Sequence, residues 1–249
     1  MSIDFRGSGK GLAFLIHLGL SSLAVGELAI LMIQVWYPPP FFMFDGGWQV
    51  LRIVLLVDVV VGPLLTLVVF NRSKPELKRD LTIIGAVQIA AFAYGAWVMH
   101  AYRPAYIVFA ERAFYSVHWP DIRRATRDTA AVERLATGRH GPAPVVVIAS
   151  IDQRRKIHAD MSAGGPSITH YGDFYRALDV ATFEQIARGP VDIESLARGD
   201  ASVAAELARV RAAHPLPRDR LVFVPLDCRY GLIMLVFDRE TRAIIDWMT

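Results

Sequence analysis

The sequence predicts a membrane protein in which three N-terminal transmembrane α-helices precede a soluble α+β domain that ends in an antiparallel β-meander. The mean hydropathy is +0.34, which is high for a soluble chain of 249 residues. The excess is concentrated in three apolar runs within the first hundred residues, and the remainder has an ordinary composition. We therefore expect a transmembrane domain over residues 1–102 and a separate domain over residues 103–249.

The three apolar runs are each long enough to form a membrane-spanning helix. They cover about residues 12–35, 50–70 and 81–99. A helix of roughly 20 residues crosses a hydrocarbon core of about 30 Å, and lipid does not tolerate unpaired backbone groups. The first run follows a polar stretch and is too long for a secretory signal peptide, so we expect it to remain in the protein.

Basic residues in the short flanking segments predict the orientation. The loop 71–80 carries four Lys or Arg residues, whereas the loop 38–49 carries none. Cytoplasmic loops are enriched in Lys and Arg, so the N-terminal tail and the basic loop should be cytoplasmic. Three crossings then place the C-terminal domain on the outer side of the membrane.

Charged residues interrupt the first and second apolar runs. Glu27 lies in the first run, and Arg52 and Asp58 lie in the second. A charge at the bilayer centre costs about 2.5 to 3.5 kcal/mol on insertion scales, so each should have a partner. An ion pair between Glu27 and Arg52 is geometrically feasible, because a long arginine side chain can reach along its helix. Asp58 has no obvious cation at its depth, so we expect it to be protonated, bonded to a neighbouring helix or paired with another chain.

The second and third runs each contain a further unusual residue. Pro63 follows Gly62 and removes a helical donor, so a kink is expected, with Thr66 helping to satisfy the freed backbone. Gln88 is the one strongly polar side chain of the third run. Small residues also occur along the first and third runs, namely Ser22, Gly26, Gly85, Ala86, Ala90, Ala93 and Gly95. They predict either close packing within the bundle or a groove for a fourth helix from a client protein.

Three interpretations of these intramembrane residues remain open. They can join the helices of the bundle, bind a partner or conduct protons or ions, and conduction by three spans would require a homo-oligomer. The residues that we select as candidates for partner binding are Glu27, Arg52, Asp58, Pro63 and Gln88.

The C-terminal part shows patterns of both helices and strands. Apolar periodicity predicts a strand at 144–151, helices at 173–188 and 202–213, and strands at 220–226, 232–237 and 243–247. The last three strands follow one another across short turns. They predict the closing meander.

The sequence does not indicate nucleic-acid binding, an internal disulfide, a metal site or nucleophilic catalysis. The net charge of +3 does not indicate nucleic-acid binding, and the single Cys228 excludes an internal disulfide. No pair of histidines between His100 and His214 has the spacing of a helical metal site, and no nucleophile motif of the form G-x-S-x-G occurs. We therefore expect neither a metal, nor a cofactor, nor enzymatic activity.

A block of residues across the second and third runs resembles a known family. It comprises the run from Asp58 to Phe70, Leu77-Lys-Arg-Asp-Leu81, Gln88, Tyr94-Gly95, Arg103-Pro104, Tyr106-Ile-Val-Phe109 and Glu111-Arg-Ala-Phe114. The block looks like that of the type IV pilin accessory proteins of the TfpX/TfpZ (FimB-like) group. The likeness covers about residues 10–120 well and the rest in outline.

The resemblance implies a bacterial inner-membrane protein with a periplasmic C-terminal domain. Such a protein is expected to act like a chaperone that stabilises a type IV major pilin and promotes its assembly into pili. Its partners would be the membrane helix and the periplasmic head of that pilin, within the lipid bilayer. The alternatives are a membrane-anchored sensor of a periplasmic ligand and a membrane enzyme that modifies pilin. No binding residue of the family carries over.

Overall fold

The computed structural model describes residues 9–71, 75–137, 141–189 and 191–249. The chain divides into two compact units, Met1–Ala101 and Tyr102–Thr249. The N-terminal tail before Gly9 and part of the basic loop, residues 72–74, lie outside the described residues. Several of the cations that predict the orientation belong to these segments.

Three described helices of the first unit are long and apolar enough to cross a membrane. We call them span 1 (Gly9–Trp36), span 2 (Gly47–Val69) and span 3 (Leu77–Ala101). They confirm the three predicted spans, with ends that differ by a few residues. A short helix, Phe41–Phe44, lies in the loop between spans 1 and 2.

Two of the spans contain a π-helical segment. Span 1 ends with Met32–Trp36 in this form, and span 2 adopts it over Leu56–Val61. In span 2 the Gly62 N–H donates to the carbonyl of Val57, five residues earlier. The segment stands immediately before the Gly62-Pro63 pair at which the sequence predicts an interruption.

Spans 1 and 3 both pack against span 2. Their shared core is apolar and consists of Val25, Leu28, Met32, Tyr37, Leu51, Val54 and Met99. The Tyr37 hydroxyl donates to the Met99 carbonyl at 3.0 Å, which satisfies both groups in this core. A Cβ on Gly95 would lie 2.8 Å from Val54 Cγ2, so this glycine allows spans 2 and 3 to approach closely.

The second unit is built on a seven-stranded mixed sheet within the described residues. The strands are β1 Pro104–Ala110, β2 Ala113–His118, β3 Ala143–Val147, β4 Tyr175–Ala177, β5 Leu221–Cys228, β6 Gly231–Asp238 and β7 Ile244–Met248. Their order is β4-β3-β1-β2-β5-β6-β7, in which β1–β3 and β2–β5 are parallel pairs and the other neighbours are antiparallel. The last three strands form the predicted antiparallel meander.

Helices cover both faces of this sheet. They are α1 Trp119–Ala125, α2 Thr129–Leu135, α3 Ile151–Ser162, α4 Val180–Ala187, α5 Ile193–Gly199 and α6 Ala201–Ala213. Helices α1 to α3 pack against Tyr106 and Val108, and α5 and α6 pack against Phe223 and Val236. Helix α4 packs on the opposite face, where Phe183 lies 5.7 Å from Phe237.

The sequence predictions for this unit are confirmed in part. The helix 202–213 and the strands of the meander are present, with small shifts at their ends. The helix predicted over 173–188 is wrong in its first part, where a 3₁₀ turn leads into β4. The strand predicted over 144–151 ends at Val147, because Ser150 caps helix α3 with a reciprocal bond to Gln153.

Candidate functional site

A cleft of about 350 Å³ lies among the three spans. We call it the intramembrane cleft, and its lining residues are His17, Leu20, Ser21, Ala24, Asp58, Gly85, Gln88, Ile89 and Phe92. Two of the five residues predicted to bind a partner, Asp58 and Gln88, thus meet at one place although they lie on different spans.

The two walls of the cleft are single faces of helices. Positions 17, 20, 21 and 24 share one face of span 1, and positions 85, 88, 89 and 92 share one face of span 3. Each face covers two helical turns, which is about 10 Å along the helix axis. Asp58, the central residue of span 2, contributes the third side of the cleft.

Asp58 is buried but has no hydrogen-bond partner among the described residues. Its side chain is 5% exposed, and its Oδ2 atom receives no donor. A buried carboxyl group without a donor loses its hydration and gains nothing in return, which is expensive in lipid. Of the three situations that the sequence left open for Asp58, a bond from a neighbouring helix to its Oδ2 atom is not formed among the described residues.

Gln88 reaches the same region from span 3 and is also unsatisfied. Both its Nε2 and its Oε1 atoms are buried without a partner among the described residues. A Cβ on Gly62 would lie 1.7 Å from Gln88 Nε2, so the amide rests directly on the backbone of span 2. Gly62 therefore makes room for the Gln88 side chain.

His17 is a part of the site that the sequence reasoning missed. Its Nδ1 atom lies 2.6 Å from the hydroxyl of Thr66, which links spans 1 and 2. Thr66 was expected to serve the backbone freed by Pro63, but its buried side chain bonds His17 instead. A titratable residue inside an apolar run is the same signal that singled out Asp58, and it was present for His17.

The other three predicted residues lie outside the cleft lining. Glu27 and Arg52 are both exposed on the surface of their spans, and no ion pair joins them in the described structure. Pro63 is buried within span 2 and offers no polar side chain. These positions therefore contribute no contact to the unsatisfied groups at Asp58 and Gln88.

Small residues on spans 1 and 3 leave open surface. A Cβ built on Gly19, Gly26 or Gly85 would meet no atom within 4 Å. Ser22, Ala86, Ala90 and Ala93 are exposed as well. Of the small residues selected from the sequence, Gly95 is the one for which close packing within the bundle is evident.

Buried carboxylates of the second unit are paired, in contrast to Asp58. Asp238 accepts hydrogen bonds from Arg220 at 3.0 and 2.7 Å, and these bonds lower the pKa of its carboxyl group well below the ordinary value. Burial alone would raise the pKa of Asp246, but bonds from Arg209 and a contact with His214 hold it below the ordinary range. These pairs connect the turn before β5 and helix α6 to the sheet. Because the carboxylates are bonded within the chain, they do not suggest a binding site.

The second unit also contains a cleft of about 800 Å³ of mixed polarity. Its charged lining residues are Arg127, Lys156, Asp160 and Asp173. The two carboxylates already bond within the protein: Asp160 accepts from the Tyr171 hydroxyl, and Asp173 accepts from the backbone of Arg127. Within the described residues, no group of His, Cys, Asp and Glu side chains is arranged to hold a metal ion.

Three fimbrial assembly proteins of Dichelobacter nodosus are similar to this chain. The protein of serogroup I is 33% identical over 102 residues, which are 40% of this chain and 38% of that protein. The protein of serogroups C1 and C2 is 33% identical over 102 residues, or 40% of this chain and 75% of that protein. The serogroup E1 protein is 35% identical over 96 residues, or 38% and 37% of the two chains. The match thus spans well under half of the serogroup I and E1 proteins. No family model and no solved structure matches the chain.

Proposed function

Because this chain belongs to the family of the fimbrial assembly proteins, we propose that it promotes type IV pilus assembly by binding and stabilising a major pilin in the membrane. Its role is that of a membrane chaperone and not of an enzyme. The residues from Asp58 to Phe70, with Gln88, support a place in the TfpX/TfpZ group of pilin accessory proteins.

The observation that carries this proposal is the intramembrane cleft with its unsatisfied groups. A protein whose spans served as a simple anchor would be more stable with apolar residues at positions 58 and 88. Ionisable and polar groups inside a membrane mark functional positions by default. A binding partner that enters the cleft would supply the missing contacts, and a pilin awaiting assembly has a membrane helix.

The proposed orientation places the pilin head and the second unit on the same side. We infer that the N-terminus is cytoplasmic and that the unit Tyr102–Thr249 is periplasmic, with the spans in the inner membrane. A reporter fused at Thr249 that is active in the periplasm agrees with this arrangement. A reporter active in the cytoplasm contradicts it.

Deletion and co-purification test the function directly. In a strain that lacks this chain, we expect surface pili to be lost or strongly reduced and the level of the major pilin in membranes to fall. The full-length chain should co-purify with the major pilin in mild detergent. A strain complemented with the unchanged chain is the control, and unaltered piliation in the deletion strain would refute the proposal.

A further inference from the structure

We propose that the intramembrane cleft receives one membrane helix of the partner, and that Asp58 accepts a hydrogen bond from a donor group on that helix. This inference rests on the proposed function and specifies its recognition chemistry. It concerns a defined place, the middle of the bilayer between spans 1 and 3.

The shape of the cleft fits a helix. Its walls are the 17–24 face of span 1 and the 85–92 face of span 3, which both follow helical spacing over two turns. Leu20 and Ile89 on these walls are 64% and 73% exposed, so they present uncovered apolar surface. A helix laid along them would bury that surface through packing of the kind that joins helices in membranes.

The chemistry of the cleft favours a donor from outside the chain. Asp58 Oδ2 is buried, and no described group of the chain donates to it. His17 interacts electrostatically with Asp58, but its Nδ1 atom is engaged with Thr66 and no hydrogen bond from it reaches Asp58 Oδ2. The Gln88 amide lies against Gly62 without bonding Asp58. Lipid acyl chains carry no donor at this depth, so a polar group on a partner helix is the natural complement.

A second copy of this chain fits the cleft less well. The commonest symmetric arrangement of two copies is a twofold dimer, in which the same surface meets itself. A dimer formed through the cleft would bring the two Asp58 carboxyl groups together. Two ionised carboxylates in lipid repel strongly, and an ionised carboxylate only accepts hydrogen bonds, so neither would satisfy the other.

Site-specific photo-crosslinking of the full-length chain in native membranes tests the inference. A photoreactive amino acid is placed at Leu20 or Ile89 in the cleft, and at Leu23 or Val87 as matched controls. The controls lie on the same spans and are 61% and 63% exposed, but they do not line the cleft. Crosslinked peptides are identified by mass spectrometry.

We expect the cleft positions to crosslink to the pilin membrane helix and the control positions not to do so. The crosslinked segment should carry a donor group within one helical turn. The Asp58→Leu variant should lower the yield at least about tenfold, whereas Val60→Leu, an apolar change at an exposed position nearby, should not. Variant levels in membranes are compared, so that loss of the crosslink is not confused with loss of the protein.

Other results would overturn the inference in distinguishable ways. Crosslinks from Leu20 to a second copy, or to lipid alone, would assign the cleft to another occupant. Pilin that co-purifies with the Asp58→Leu variant as well as with the unchanged chain, without cleft crosslinks, would leave the proposed function intact and refute the recognition by Asp58. If pilin does not co-purify even with the unchanged chain, the proposed function itself fails.

Discussion

Asp58 in the first unit differs from two buried carboxyl groups of the second unit, Asp238 and Asp246. In the second unit, Asp238 and Asp246 are held by arginine side chains at hydrogen-bonding distance. In the first unit, Asp58 is buried to a similar extent, yet its Oδ2 atom has no partner among the described residues. The difference indicates that the chain itself satisfies Asp238 and Asp246, whereas the Oδ2 atom of Asp58 finds no donor among the described residues.

This difference distinguishes buried residues that stabilise the fold from buried residues that are available to bind a partner. A satisfied buried ion pair holds elements of one chain in place, and its loss lowers stability. An unsatisfied group lowers the stability of the free protein, and such groups persist where function requires them. If this distinction holds, substitutions at Asp58 and at Asp238 should change the free energy of unfolding in opposite directions.

The largest expected effect is at Asp58. Replacing Asp58 with Leu should raise the free energy of unfolding of the purified protein by about 3 kcal/mol, the upper end of the cost of a buried polar group without a partner, because the variant removes this group and the adjoining cleft accommodates the new side chain. Unfolding of the three spans in mixed micelles measures this change. Asp58→Asn should have a smaller effect, and a destabilised Asp58→Leu protein would show that Asp58 has a partner within the chain.

A fall in the free energy of unfolding is expected when Asp238 is replaced. The Asp238→Ala variant loses the bonds to Arg220 and to the hydroxyl of Thr241, so the second unit should lose about 2 kcal/mol of stability. Hydrogen exchange of the amides in β5 and β6 of the full-length protein reports this loss. Asp227→Ala, an exposed change on the neighbouring strand β5, is the control and should leave the exchange rates unchanged.

A smaller effect is expected when Arg209 is replaced with Lys. The guanidinium of Arg209 contacts both carboxylate oxygens of Asp246, and an ammonium group cannot reproduce this fork. We expect the second unit to lose about 1 kcal/mol, again measured by hydrogen exchange. Arg155→Lys removes a guanidinium whose contact with Asp152 is exposed, so it should have no measurable effect. Equal effects of both variants would argue against a special role of the bidentate contact between Arg209 and Asp246.

The smallest expected effect is the pH dependence of the stability of the second unit, which is absent near neutral pH and develops in acid. The pKa of Asp238 is lower in the folded protein than its ordinary value of 3.8, so the unfolded chain binds the proton more readily. The stabilisation is therefore complete above about pH 5 and is lost as the pH falls through the depressed folded pKa. Hydrogen exchange of the unchanged chain should show this loss. The Asp238→Asn variant should show a flatter acid dependence.

The membrane spans could be predicted well, because length and hydropathy are strong local signals. The helix 202–213 and the final meander were also visible in apolar periodicity. The hairpin of β1 and β2 was not predicted, although its residues belong to the block that resembles the pilin accessory proteins. Its turn places Glu111 and Arg112 at positive φ, where Gly or Asn is usual, so no turn signal marked the pair of strands.

The candidate site could be predicted only in part. Asp58 and Gln88 stood out as polar residues in apolar runs, but their meeting depends on how the spans pack, which local patterns do not determine. The pairing suggested for Glu27 and Arg52 is not formed, since helix rotation leaves both side chains exposed. His17 was not predicted, because a neutral imidazole adds no formal charge to the apolar run that contains it.

The order of strands in the sheet has a consequence for biosynthesis. Strand β2 pairs with β5, which begins at Leu221, about a hundred residues further along the chain. Until those residues have been translated, the early hairpin carries an open edge to which strands of other molecules can add. A product cut off after α6 keeps that edge permanently, so truncated chains of this length should aggregate or be degraded even though all three spans are present.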